Sequence, residues 1–205
     1  MHLFDDGLVR ELDSLLIPER ILVLVERESY LGLTDGSQNA ELGQLMSEIQ
    51  ERQGEIINLY RVLGNSPAML RAWVEMAWPL RYKSTISRRI RELAILRVGY
   101  VTNAEYEWNH HKAMALANNI TEQEIENVRS ELDVIASSFS PIEAHSIFIA
   151  DEITRTGTLS DQSRMLLKEF WLDSEIVELV LIVSFYNCVA RVVEALKIPM
   201  ESGWA

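Results

Sequence analysis

The chain has 205 residues and a net charge of −12, from 19 Lys and Arg against 31 Asp and Glu. Hydrophobic residues make up 48% and charged residues 24%, a normal balance for a soluble globular protein with chain enough for one large core. So acidic a surface repels phosphate backbones and argues against nucleic acid as a partner, while a lone cysteine, Cys188, excludes an internal disulfide and cysteine-pair redox chemistry.

Helix signals dominate along the chain, and the expected fold class is all-α. Met1 to Asp6 carries Asp5 and Asp6 and lacks a basic stretch, so no secretory signal is expected and a reducing cytoplasm is the expected compartment. Residues 5–31 read as a first helical region interrupted at Pro18, with Ile21 to Val25 apolar on every side. Leu33 to Asn39, with Gly36 and Ser37, reads as a linker, so residues 1–39 form an N-terminal helical extension to a main domain over 40–205. A helix is predicted from about 40 to 63, ending near Gly64. Ser66-Pro67 opens the next, to about Leu80. Ser84 or Thr85 is expected to cap a helix over roughly 86–101, whose apolar Ile90, Leu93, Ala94, Val98 and Val101 follow the 3.6 period. Asn103 is expected to cap the helix that follows, to about Asn118-Asn119. Thr121 and Glu124 make a capping box for a short helix. Ser140-Pro141 opens a helix to about Arg155, broken by Gly157. Ser160 caps residues 161–170, and Asp173 caps a long helix to about Leu196, before Pro199 and a loose tail after Met200. The apolar run Ile176 to Val193 is broken by Glu178, Asn187 and Arg191, so it reads as a buried helix and no membrane is expected as a partner.

The chemistry concentrates in the octet Ala104 to His111. Glu107 and His111 stand four residues apart, on one helical face, with Cβ atoms about 5–6 Å apart. A carboxylate and an imidazole so placed can exchange a proton through one substrate or one water. The bland alternative is a solvated i,i+4 pair that merely supports the helix. Ala104, Trp108 and Ala115 on the same stripe are core-like, which places the pair at or beside the buried face, where an unpaired charge would be costly. Glu92, one helix upstream across a short turn, can reach Glu107 or His111, or else form a salt bridge with Arg88 or Arg89. His110 lies about 100° round the helix from His111 and reads as exposed or interfacial. His2 and His145 have no ligand-like partners in sequence, and no spaced His/Cys set suggests a metal. Cys188, between Val183 and Val192 in an apolar helix, reads as buried and inert.

Three segments carry a resemblance: Arg91-Glu92-Leu93-Ala94-Ile95-Leu96-Arg97-Val98, the octet Ala104-Glu105-Tyr106-Glu107-Trp108-Asn109-His110-His111, and Ile120-Thr121-Glu122-Gln123-Glu124-Ile125. Together they resemble the carboxymuconolactone decarboxylase family, whose wider superfamily includes alkylhydroperoxidase D. The likeness covers roughly residues 55–200, including Phe185 to Pro199 as a closing helix, and leaves the first 40 residues outside. The peroxidase branch uses Cys-x-x-Cys-x-x-x-His with a glutamate twelve residues before the first cysteine. On this chain those positions fall on Ala104, Glu107, His111 and Glu92, so both cysteines are absent and a thiol route is excluded.

The resemblance implies an all-α, alkylhydroperoxidase D-like helical bundle and the acid/base set of the cysteine-free decarboxylase branch. The expected activity is a cofactor-independent lyase acting on a small organic acid or lactone, with no metal. Its alternatives are an isomerase, cyclase or hydrolase on the same site, or a non-catalytic oligomeric binding protein. His111 is the expected acid/base, Glu107 its orienting or shuttling partner, and Glu92 completes the relay. Trp108 and Tyr106 are candidate substrate contacts, and Arg97 or Arg88 a candidate carboxylate holder. The apolar stretches Ile21 to Val25 and Val177 to Val183 predict a homo-oligomer, a trimer or its multiple, with a dimer as the alternative.

Overall fold

A computed structural model describes residues 30–37 and 40–202, so the expected first helical region and its apolar Ile21 to Val25 stretch lie almost wholly outside the described residues. Ten helices and no strand occur among the described residues. They are α1 (Ala40–Gln53), α2 (Asn58–Leu63), α3 (Pro67–Tyr82), α4 (Arg88–Thr102), α5 (Glu105–Ala117), α6 (Glu122–Asn127), α7 (Leu132–Ser138), α8 (Pro141–Thr156), α9 (Asp161–Phe170) and α10 (Asp173–Ala195).

The bundle is organised round α4, which packs on α8, α10 and α5. Its residues Arg91 to Gly99 are all buried, three charged side chains among them. The apolar positions follow a helical period, yet the neighbours enclose the whole circumference, so the polar positions are buried too. Two apolar clusters flank it. The larger joins α1 to α3 with α10; the smaller gathers Leu93, Leu96, Trp108, Ile120, Ile135 and Ile147 around α5 to α8.

Several boundaries differ from expectation, each with a local cause. The predicted helix over 40–63 is two helices, because Gly54 turns to φ 81°, a left-handed conformation that glycine adopts without strain, and α2 restarts at Asn58. Ser84 and Thr85 do not cap α4. Both hydroxyls and the Thr85 N–H donate to the Glu178 carboxylate of α10, and Ser87 caps α4 instead, accepting from the Ile90 N–H. Asn103 closes α4 in the left-handed region at φ 55°, leaving α5 to begin after Ala104 without a side-chain cap. The α7 helix had no counterpart in the sequence reading. The Thr121–Glu124 capping box, the Ser140 and Ser160 starts and the Gly157 stop, at φ 75°, stand as expected. Asp173 is the first residue of α10; its N-cap position is Leu172.

By length and composition α10 could cross a membrane, yet half of its most apolar 18-residue window is buried against the rest of the chain. Its exposed face carries Val177, Leu181, Ser184 and Cys188, so Cys188 is exposed and not buried as predicted.

Candidate functional site

The short α4–α5 turn brings Glu92 and the octet together. His111 is 2% exposed and Glu92 fully buried, and His111 Nδ1 lies 2.6 Å from Glu92 Oε2. On the opposite edge of the ring, Nε2 faces Glu107 Oε2 at 3.4 Å. The imidazole therefore lies between two buried carboxyl groups, and Tyr186 of α10 packs edge-on against it at 4.8 Å.

The two carboxyls differ in character. Burial acts to raise the pKa of Glu92, but His111, Arg88 and Arg81 together outweigh it and hold the group below its usual range. Arg88 Nε sits 2.6 Å from Oε1, an ion-pair contact at an angle that leaves that oxygen without a hydrogen bond. For Glu107 burial wins over the same kinds of charge, from His111, Arg81 and His110, and its pKa is raised. Glu107 Oε2 has no hydrogen-bond partner among the described residues. With Glu92 anionic, the proton on His111 is assigned to Nδ1, which donates to Glu92, so Nε2 is turned toward Glu107.

Glu107 and His111 line a narrow cavity with free space of about 20 Å³, enough for a water. Trp73 of α3 and Phe185 of α10, rings 5.1 Å apart, form its apolar side with Val189. Tyr186, whose hydroxyl is pushed up to about 12 by burial and the neighbouring carboxylates against the pull of Arg81, remains neutral at physiological pH.

The predicted substrate contacts divide. Tyr106 lines the cavity, but its hydroxyl donates to Glu201 Oε1 at 2.8 Å. Trp108 packs in the smaller apolar cluster, with the Arg129 guanidinium 4.0 Å above its ring, and opens on a surface groove instead of the His111 cavity. Arg97 is used structurally: Nε and Nη2 bind Asp151 at 2.8 and 2.7 Å, and Nη1 donates to the Val128 and Ser130 carbonyls. Arg88 braces Glu92 and reaches Met114 Sδ at 3.2 Å; it is not on the cavity wall. The carboxylate-holding role expected of these two arginines is filled by neither in this geometry.

Three residues beside the cavity have no signal in the sequence. His110, read as exposed, is 5% exposed, with Nε2 2.6 Å from Glu201 Oε2. Glu201, in the tail read as loose, also accepts from the Asn58 N–H at 2.7 Å, and so joins α2, α5 and the C-terminal segment beside the cavity. Burial opposes its charge, but His110, Asn58 and Tyr106 bring its pKa down to about 2. Arg81, at the end of α3, lines the cavity as well. No local pattern marks Arg81 or Glu201, because their partners lie in distant helices. Among the described residues no group of three or more His, Cys, Asp or Glu side chains is placed to hold a metal ion.

Comparison with known proteins agrees with this architecture. No curated protein sequence matches the chain. An uncharacterized peroxidase-related protein from Silicibacter sp. TM1040 superposes with a TM-score of 0.74 at 18% identity, covering 87% of this chain and 95% of that one. A peroxidase-related protein with an alkylhydroperoxidase AhpD core from Ralstonia eutropha JMP134 gives 0.74 at 13% identity, covering 87% and 95%. The debrominase Bmp8 in complex with 2,3,4-tribromopyrrole gives 0.65 at 12% identity, covering 85% and 92%. At these identities the likeness establishes the fold. Residues 67–152, from the start of α3 almost to the end of α8, match the carboxymuconolactone decarboxylase family. Through that segment, which contains Glu92, Glu107 and His111, the chain is similar to the carboxymuconolactone decarboxylase family, and its helical fold is alkylhydroperoxidase D-like.

Proposed function

We propose that the chain is a cofactor-independent carboxy-lyase that acts on a small organic acid or lactone by proton transfer through His111. One observation carries the reading: Glu107 is buried, its carboxyl pKa is raised, and its Oε2 is left without a hydrogen bond at the cavity wall, 3.4 Å from His111 Nε2. A buried polar atom without a partner is unusual in a folded protein and marks a place where substrate or water supplies the missing bond.

In the proposed reaction the bond between the substrate carbon and its carboxylate breaks and CO2 departs. The electron pair remains as an enolate conjugated with a neighbouring carbonyl. The proton held by Glu107, given directly or passed through His111 Nε2, quenches the carbanion, and solvent restores it to Glu107. Glu92 does not touch the substrate; it fixes the ring and its tautomer through Nδ1.

A second reading follows from the cavity, whose free space of about 20 Å³ suits a water beside Nε2. His111 would then activate that water in a hydrolase on the same site. Release of CO2 or ring-opening from a panel of small carboxylated lactones separates the two. His111→Asn is expected to lose about 10²–10⁴-fold in turnover. Turnover of the true substrate by His111→Asn at the wild-type rate would refute both readings.

A further inference from the structure

We infer that Arg81 is the anion anchor of the His111 cavity, and that the ligand taken there presents a carboxylate or a similarly charged head group to it. The inference deepens the proposed function and rests on the same cavity being the reaction site.

Three of the other arginines around α4 pair with carboxylates: Arg88 with Glu92, Arg97 with Asp151, and Arg89 with Glu124 and Glu143. Arg91 has no ion pair among the described residues, its Nη1 donating to the Leu80 and Arg81 carbonyls at 2.9 Å and its buried Nε to nothing, but it is not on the cavity wall. Arg81 is on that wall. Its Nη1 donates to Gln53 Oε1 at 3.1 Å and to the Tyr60 hydroxyl at 3.3 Å, and its guanidinium also meets the Tyr186 hydroxyl. All three partners are neutral, and no carboxylate among the described residues stands in ion-pair range of it. A guanidinium has five N–H donors, so three partners leave part of the fork unspent. A half-buried cation without an anion is an unusual arrangement, because removal from water is ordinarily offset by a countercharge.

Position supports the assignment. Arg91 Nη1 holds the Leu80 and Arg81 carbonyls near the end of α3 and so fixes the backbone from which Arg81 projects. Arg81 stands close enough to the relay for its charge to lower the pKa of both Glu92 and Glu107. Trp73, Phe185 and Val189 complete the cavity with apolar surface. The free space of about 20 Å³ holds a water, so an acid whose head group meets Arg81 must part the Trp73 and Phe185 rings to lay its apolar body between them and bring its adjacent carbon toward Glu107 and His111. An arginine fork recognises a planar carboxylate through paired hydrogen bonds, which fixes orientation as well as charge.

The test is titration of the full-length protein with formate, acetate and benzoate, followed by calorimetry and by the NMR resonance of the Arg81 Nε–H group, which Arg81→Lys identifies by its disappearance. Benzamide serves as the uncharged isostere. At least one carboxylate is expected to bind and to move that resonance, benzamide to bind at least about tenfold more weakly than benzoate, and Arg81→Gln to weaken carboxylate binding about 10- to 100-fold. Arg81→Lys, which keeps the charge and loses the fork, falls between. No binding by any of the three acids, equal binding by Arg81→Gln, or a bound acid that leaves the Arg81 resonance unmoved would overturn the inference. Should Arg81→Gln fail to fold, the wild-type resonance and the benzamide comparison still decide. His111→Asn separates this from the proposed reaction: it is expected to bind the acid as wild type does while losing turnover. Lost anion binding with an intact His111 effect sinks only the anchor, and the converse sinks only the relay.

Discussion

Glu107→Gln is expected to change stability and activity in opposite directions. Glu107 is 5% exposed, and its Oε2 lacks a hydrogen bond while lying 3.4 Å from His111 Nε2. Burial raises its folded pKa above the ordinary 4.5. A group raised on folding stabilises the native state most below its unfolded pKa, and that contribution is lost as pH rises through the folded value. Wild type therefore loses stability relative to Glu107→Gln as pH climbs from about 4.5, until the folded carboxyl is ionised and the difference levels off. The amide is nearly isosteric and never bears the charge. Leaving one buried polar group unsatisfied costs about 1–3 kcal/mol. For a chain of this length each kcal/mol is worth roughly 2–4 °C in Tm, so the variant should melt about 2–12 °C above wild type at pH 8 and close to it at pH 4.5. Turnover should fall about 10²–10⁴-fold if the carboxyl moves a proton. Scanning calorimetry from pH 4.5 to 8, paired with steady-state kinetics, measures both. A variant less stable than wild type at pH 8 would show that Glu107 is a satisfied structural carboxylate, and the argument from its orphaned oxygen would fail.

The remaining predictions concern the supports of the site and the assembly. Glu201→Ala removes the acceptor of Asn58, Tyr106 and His110 and should destabilise the fold by about 2–4 kcal/mol at pH 7 in urea titrations. Because the Glu201 pKa is depressed to about 2, that contribution is present above about 4.5 and lost as pH falls toward 2, so the gap between variant and wild type should close in acid; an equal gap at both pH values would contradict the clasp. Arg97→Met removes the 2.7 Å partner of Asp151 but leaves Arg155 Nε at 3.0 Å from both of its oxygens, so it should cost about 1–3 kcal/mol in urea titrations without changing the Michaelis constant of a turned-over substrate; a selective rise in KM would restore Arg97 to the substrate. The exposed α10 stripe of Val177, Leu181, Ser184 and Cys188 is expected to be covered in a homo-oligomer, a trimer or its multiple. Light scattering should show it, and Cys188 should react with a thiol reagent faster on dilution to monomer; a monomer of about 23.5 kDa at micromolar concentration would refute the assembly.

What the sequence makes legible is what is local. Capping boxes at Thr121 and Ser140, the serine at 160 and the glycine at 157 are short-range signals, and the helices begin and end at them. The proximity of Glu92, Glu107 and His111 is also legible, since Glu107 and His111 share a helical face and one short turn folds Glu92 back onto them. Trp108 shows where that reasoning stops: one position beyond Glu107, it turns to the other side of α5 and packs beneath Arg129. Long-range partners have no such signal. His110 is polar and off the apolar stripe, so nothing local predicts its burial; Glu201, 91 residues away, meets its Nε2. Ser84 and Thr85 have the composition of caps, but Glu178 of α10 competes for their hydroxyls. Arg97 has the chemistry of a carboxylate ligand and meets one, Asp151, 54 residues on, inside the protein itself.

Burial alone does not separate the two carboxyls on either side of His111, because both are withdrawn from water. Contact separates them. Glu92 has the ring N–H at 2.6 Å and the Arg88 guanidinium at 2.6 Å, enough positive character to keep its charge. Glu107 has only the far ring nitrogen at 3.4 Å and more distant charges, and that is insufficient. Opposite shifts in two neighbouring carboxyls divide the roles of acid and base within a site. The proton is therefore biased toward the Glu107 side, which faces the cavity, while the Glu92 side stays anionic and anchors the imidazole. Exchange of the two environments should abolish this bias. Arg88→Gln strips Glu92 of a countercharge, so its carboxyl should titrate at higher pH by carbon-13 NMR and the pH profile of turnover should shift with it. An unchanged Glu92 titration would mean that His111 alone fixes the charge, and that Arg88 has no part in setting the direction of proton transfer.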